Sequence, residues 1–186
     1  MRRNLRGFTL IEVMVVVAVL AVLSAMAMPG MGDYLDRHRL IGQMRAITNL
    51  VELARSEAIM HSSASASNLK TMAITISPGA SWFVGLSNGT TACSLTPTNT
   101  CTINQGGSAV SHSISGAECT ACSMVSPSST QVAVYDLRGI VQAGTNQAIT
   151  LQSPRGKFLS VNINRLGRVS LCVPVGKPAI PGYPSC

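Results

Sequence analysis

Apolar positions dominate the start of the chain. Residues 8–28 form an apolar run whose one charged side chain is Glu12, with a basic leader (Arg2, Arg3 and Arg6) before it and Pro29 after it. The run is ~20 residues long, enough for a helix to cross a hydrocarbon core of about 30 Å. Proline lacks a donor and clashes with the preceding turn, so a break is expected near Pro29-Gly30. Beyond it, Leu40, Met44, Ile47, Val51, Ala54 and Ala58 recur every three or four residues, the single apolar stripe of an amphipathic helix. Arg37, Arg45, Glu52 and Arg55 largely occupy the other faces. Asp36 with Arg39, and Glu52 with Arg55, stand close enough along a helix for modest pairing and read as a solvated face. The pattern predicts one long helix. Its half at residues 8–29 crosses a membrane, and its half at residues 30–61 packs under an outer domain.

From residue 62 the period changes. After a small polar linker over residues 61–70, residues 72–77 and 81–86 are rich in β-branched and aromatic side chains and flank Pro78-Gly79-Ala80, which predicts a β-hairpin. Trp82, the only tryptophan, is expected as a core anchor. Residues 87–130 are low in charge and rich in Ser, Thr, Asn and Gly. A loop of that length needs staples or a function, and short strands are expected there only near residues 109–114. Strands return at residues 131–136, 149–152, 158–164 and 168–173, separated by turns at Arg138-Gly139, Ser153-Pro154-Arg155-Gly156 and Leu166-Gly167. Phe158 alternates with apolar neighbours and is expected in the core. The fold class is therefore α+β: a long N-terminal helix on a small antiparallel β-rich domain of about two sheets, residues 62–186.

Charge and cysteine content add a compartment and a partner class. The formal charge is +7, and removing the three leader arginines leaves Lys+Arg 11 against Asp+Glu 7, or +4. After Asp136 the chain holds Arg138, Arg155, Lys157, Arg165, Arg168 and Lys177 and no acidic side chain. A half so one-sided suits a polyanionic partner. All six cysteines lie beyond the apolar run. A basic segment before the run and cysteines after it fit an N-in topology with the domain outside the cytoplasm. Local proximity suggests Cys93–Cys101, Cys119–Cys122 and Cys172–Cys186, although sequence alone does not choose among the possible pairings. Cys119-Thr-Ala-Cys122 also has the spacing of a redox or zinc half-site. Zinc would require a second pair or nearby histidines, and only His112 is close in sequence.

The leader and apolar run admit three readings. A secretory signal would be cut after the run, with Ser24-Ala25-Met26-Ala27 as a weak site. A plain anchor leaves Glu12 without a reason, because a carboxylate inside a membrane segment is costly. The third reading is cleavage before the run: Gly7-Phe8-Thr9-Leu10-Ile11-Glu12 closely resembles the prepilin motif of type IV pilins and type II secretion pseudopilins. That resemblance implies cleavage after Gly7 by a prepilin peptidase, methylation of the new amino terminus at Phe8, and a filament role for Glu12. The carboxylate would meet a neighbouring subunit's terminal amine, since a buried charge is expensive unless paired. Ala54-Arg55-Ser56-Glu57-Ala58 at a helix end resembles the subgroup of minor pilins and pseudopilins called FimT, FimU and pseudopilin H. A pilin-like protein of this kind would sit in the inner membrane with its C-terminal domain periplasmic, then in an extracellular filament beside other pilins. The alternative within the resemblance is a type II secretion pseudopilin H.

No catalytic constellation is visible. His38, His61 and His112 have no partners at useful spacing, no serine sits in a nucleophile elbow, and no phosphate-cradling glycine loop occurs. With charged residues at 11%, few groups remain for acid–base work, and the chain is expected to be no enzyme, with neither cofactor nor metal. The candidate site is the basic C-terminal hairpin. In FimT-type proteins a C-terminal Gly-Arg-x-Arg motif is associated with binding DNA in natural transformation. Here Gly167-Arg168-Val169-Ser170 keeps the glycine and first arginine and lacks the second. Arg165, or Arg155 and Lys157 across a turn, are the expected substitutes. Such contacts would grip double-stranded DNA through its phosphates, in a salt-sensitive and sequence-independent way.

Overall fold

In a computed structural model of the chain, the described residues are 8–61, 71–105, 107–119, 122–142 and 147–186, with the side chains of residues 26–30, 61 and 118 outside the description. Arg2, Arg3, Arg6 and Gly7 of the leader, and residues 62–70 of the expected linker, lie outside the described residues. Two compact units result, Met1–Leu35 and Asp36–Cys186.

The first unit is helical from the start of α1 (Leu10–His61). Thr9 caps that helix: its Oγ1 accepts the Glu12 N–H at 3.3 Å, and its carbonyl accepts from Glu12 and Val13. A threonine three residues before a glutamate is the sequence form of a capping box, and a carboxylate in the first turn suits the helix dipole. Residues 8–25 are exposed throughout. Among the described residues no helix is long and apolar enough to cross a membrane. The described apolar side chains of residues 10–25 span ~24 Å of helix, against about 30 Å of hydrocarbon. α1 is one element through Pro29 and Gly30, where a break was expected. The missing proline donor removes a single ladder bond, which need not end a helix.

In the second unit, Leu40, Met44, Ile47, Val51, Ala54 and Ala58 are each fully buried, so the apolar stripe of α1 is one wall of the core. Two four-stranded antiparallel sheets cover it. One has the order β5-β2-β1-β7, from β1 (Met72–Ser77), β2 (Phe83–Asn88), β5 (Ser113–Ser115) and β7 (Gln131–Tyr135). The other has the order β10-β9-β8-β6, from β6 (Ser123–Ser126), β8 (Gln147–Gln152), β9 (Phe158–Ile163) and β10 (Val169–Cys172). A third, two-stranded sheet pairs β3 (Thr102–Gln105) with β4 (Ser108–Ser111). The fold is α+β.

The serine-rich region is structured because it closes the outer face of the first sheet. Residues 72–76 of β1 are buried in succession, which needs cover on both faces. One cover is the Cys93–Cys101 loop: Thr75 Oγ1 accepts the Cys93 N–H at 2.8 Å. A Cβ at Gly85 of β2 would meet Cys93 Sγ at 2.9 Å, so only glycine admits the disulfide there. Trp82 is fully buried but lies just before β2, its indole N–H donating to the Cys122 carbonyl at 3.0 Å. β2 therefore starts two residues later than residue 81, where the β-branched and aromatic content placed it.

Candidate functional site

The turn joining β9 to β10 is built by Asn164 and Gly167. Asn164 Oδ1 accepts the Arg168 N–H at 2.9 Å, the Asn164 N–H donates to the Arg168 carbonyl at 3.0 Å, and the Gly167 N–H donates to the Asn164 carbonyl at 2.9 Å. An asparagine side chain that closes its own turn fixes the loop locally. Gly167 sits at φ +71°, the left-handed region that disfavours a side chain. Arg165, Leu166 and Arg168 are left exposed on a narrow tip.

A second turn, following β7, backs this one. Asp136 Oδ1 accepts the N–H groups of Arg138 and Ile140, both at 2.9 Å, and Arg138 Nε lies 3.3 Å from Oδ2. Partial burial pushes the Asp136 carboxyl up, but the bonds from Ile140 and Arg138 and the nearby guanidinium outweigh it and hold the pKa below the ordinary value. The Val141 N–H donates to the Arg165 carbonyl at 3.2 Å, tying the turns together. A Cβ at Gly167 would run into the Gly139 carbonyl oxygen, with the Tyr135 ring at 2.9 Å and Arg55 Nε at 3.2 Å. Tyr135 is fully buried beneath. Burial pushes its phenol up to about 12, with Arg55 lowering and Glu52 raising it. Among the described residues, neither the Tyr135 hydroxyl nor Arg55 Nε finds a hydrogen-bond partner. The tip thus gathers Arg55, Arg138, Arg165 and Arg168 against Glu52 and Asp136, and Asp136 is committed to its own turn.

Arg155 and Lys157 lie elsewhere. They belong to the β8–β9 turn, at the far end of β9 from Arg165 and Arg168, since Gln152 pairs with Phe158 and Gln147 with Ile163. The six residues of β9 put ~20 Å between the two turns. Ser153 pins the β8–β9 turn to α1: its hydroxyl donates to Asp36 Oδ2 at 2.6 Å and accepts the Lys157 N–H at 3.1 Å. The other turn meets α1 at Arg55, ~28 Å farther along the helix axis. Arg165 is therefore the one substitute for the missing arginine that shares a turn with Arg168. Asp36, expected on a solvated face beside Arg39, is instead buried under Ser153. Phe158 is half-buried, with Lys177 Nζ over its ring at 4.3 Å.

The cysteines pair as Cys93–Cys101, Cys119–Cys122 and Cys172–Cys186, with Cα separations of 5.0, 5.4 and 5.0 Å. Cys119 and Cys122 are thus joined to each other. Among the described residues no group of three or more His, Cys, Asp and Glu side chains is placed to hold a metal ion. Phe8 and Glu12 lie exposed in the first unit, beside Val13, Val16 and Val17. Arg138 was missed as a candidate in the sequence, although its Arg-Gly order mirrors Gly167-Arg168 on the facing turn.

The family described as Prokaryotic N-terminal methylation motif matches residues 2–28. Fimbrial protein Q of Moraxella bovis is 38% identical over 55 residues, 28% of this chain and 35% of that protein. The matched stretch thus spans about a third of that curated relative's length. No solved structure matches the chain. The chain carries a prepilin-type methylation motif: in its N-terminal segment it is type IV pilin-like.

Proposed function

We propose that this protein is a minor pilin, a low-abundance subunit of a type IV pilus-like filament that captures DNA at its β9–β10 turn. The methylation motif supports the filament part, because it supplies both the cleavage site at Gly7-Phe8 and the carboxylate at Glu12. On this reading a prepilin peptidase trims and methylates the chain, residues 8–29 hold it in the inner membrane, and assembly carries it into the filament beside other pilins. There the exposed apolar helix is covered by neighbours, and each Glu12 meets a neighbour's amine. The protein works by binding and not by catalysis. In a strain that makes the filament, Glu12→Ala should be processed normally yet be lost from sheared filaments. Unchanged filament content would refute the pairing role.

The observation behind the DNA reading is the tip at residues 164–168, where two exposed arginines share one rigid turn. Duplex affinity should fall with salt and drop in Arg165→Ala/Arg168→Ala, whereas Arg155→Ala/Lys157→Ala at the other end of β9 should change it little. No duplex binding at low salt would leave a purely structural subunit.

A further inference from the structure

We propose two further phosphate contacts in the groove between α1 and the C-terminal loop, so that a DNA strand held at the Arg165/Arg168 tip continues along edge strand β10 into it. This rests on the DNA-binding reading of that tip. The groove has a volume of about 470 Å³ and is lined from α1 by Arg37, His38 and Arg45. Its other wall is Leu171 of β10 and Tyr183 of the tail. Among the described residues no carboxylate lines it. Asp36, the neighbour of Arg37 in sequence, is buried and bound to Ser153. The tail is held as a wall by Cys172–Cys186 and by the Val173 N–H donating to the Pro184 carbonyl at 2.8 Å.

The spacing suits a uniformly charged strand. Arg37 and Arg45 are eight residues apart on one face of α1, ~12 Å along its axis. Leu171 in the groove wall is three residues from Arg168, ~10 Å along the strand. A duplex strand carries one phosphate for about every 3.4 Å of its helix axis, so several phosphates fall within either interval. Between them β10 is an edge strand without an acidic residue. A segment with one or two carboxylates would satisfy the groove or the tip but has no reason to need both. A phosphodiester chain engages both at once.

The test uses the full chain in non-ionic detergent and a short mixed-sequence duplex, with affinity measured across a salt series. Arg37→Gln/Arg45→Gln should flatten the log–log salt slope by about 1.8, because each lost phosphate contact contributes roughly 0.9. Arg37→Lys/Arg45→Lys should keep the slope, since a lysine serves as a point charge on phosphate. Urea melts would establish that both variants are folded. An unchanged slope in the folded glutamine variant, with the tip variant still impaired, would overturn the groove contacts alone. A wild-type chain that binds no duplex would overturn the tip reading and this proposal with it. An unchanged duplex slope with loss of polyglutamate binding would overturn it in favour of a peptide groove.

Discussion

Two glycines at the ends of β9 separate backbone strain from steric crowding. Gly156 and Gly167 have φ of +73° and +71°, so alanine at either meets the same left-handed penalty, ~1–2 kcal/mol. Their surroundings differ. A Cβ at Gly156 finds nothing within 4 Å, whereas at Gly167 it meets the Gly139 carbonyl oxygen and the Tyr135 ring at 2.9 Å. Neither neighbour can rotate away, because one is backbone and the other is a fully buried ring. Overpacking of this kind adds ~1–3 kcal/mol. Gly156→Ala should therefore lose ~1–2 kcal/mol and Gly167→Ala ~2–5 kcal/mol. For a unit of this size the difference between them corresponds to ~2–12 °C in Tm. Urea and thermal melts followed by Trp82, the one tryptophan and fully buried, read both variants. Gly167→Ala should also weaken duplex binding, since relief requires the tip to lift off the Asp136 turn. Equal losses for the two variants would refute the close packing of the turns.

Two further outcomes concern titration beneath and beside the tip. Burial raises the Tyr135 phenol to about 12, so above pH 10 the unfolded chain releases a proton that the folded one keeps, and stability falls by roughly 2–3 kcal/mol as pH climbs from 10 to 12. Tyr135→Phe should leave stability at pH 7 within ~1 kcal/mol, because the hydroxyl has no partner to lose, and should remove that alkaline decline from the melts. A loss of several kcal/mol at pH 7 would mean the hydroxyl is bonded. Asp136 has a depressed folded pKa, so its contribution is present above the ordinary carboxylate range and disappears as pH falls through the folded value. Asp136→Asn should be less stable than wild type at pH 7, and the gap should close in acid. A gap that stays constant with pH would show that the charge plays no part.

Much of the fold was readable where one physical signal acted alone. The stripe from Leu40 to Ala58 is set by burial on one helix face, and every member is buried. β1 and β9 occupy residues 72–77 and 158–163, close to where β-branched and apolar content indicated them. Residues 87–130 were read as mostly loop with short strands near residues 109–114; β4 and β5 lie there, and β3 and β6 were not foreseen. Their serines and threonines carry no alternation, and their order comes from tertiary cover: the Cys93–Cys101 loop over Gly85, Thr75 bonded to Cys93, Trp82 bonded to Cys122.

The site was legible in part. Of the candidate residues, Gly167, Arg168 and Arg165 lie together in the β9–β10 turn. Arg155 and Lys157 could not be separated from it by composition, because only the register of β8 with β9 shows that they face the opposite end. Asp36 was misread for a similar reason. Helical spacing offered Arg39 as its partner, while Ser153, distant in sequence, is the side chain that binds it.

The prepilin reading stands or falls on the mature N-terminus. The full chain would be produced in cells together with a prepilin peptidase, purified from membranes and analysed by mass spectrometry of its N-terminal peptide. An N-terminus at Phe8 carrying one methyl group is the expected result, and Gly7→Ala should abolish it. A mature chain that begins after Ala27, or one that keeps Met1 beside an active peptidase, would contradict it.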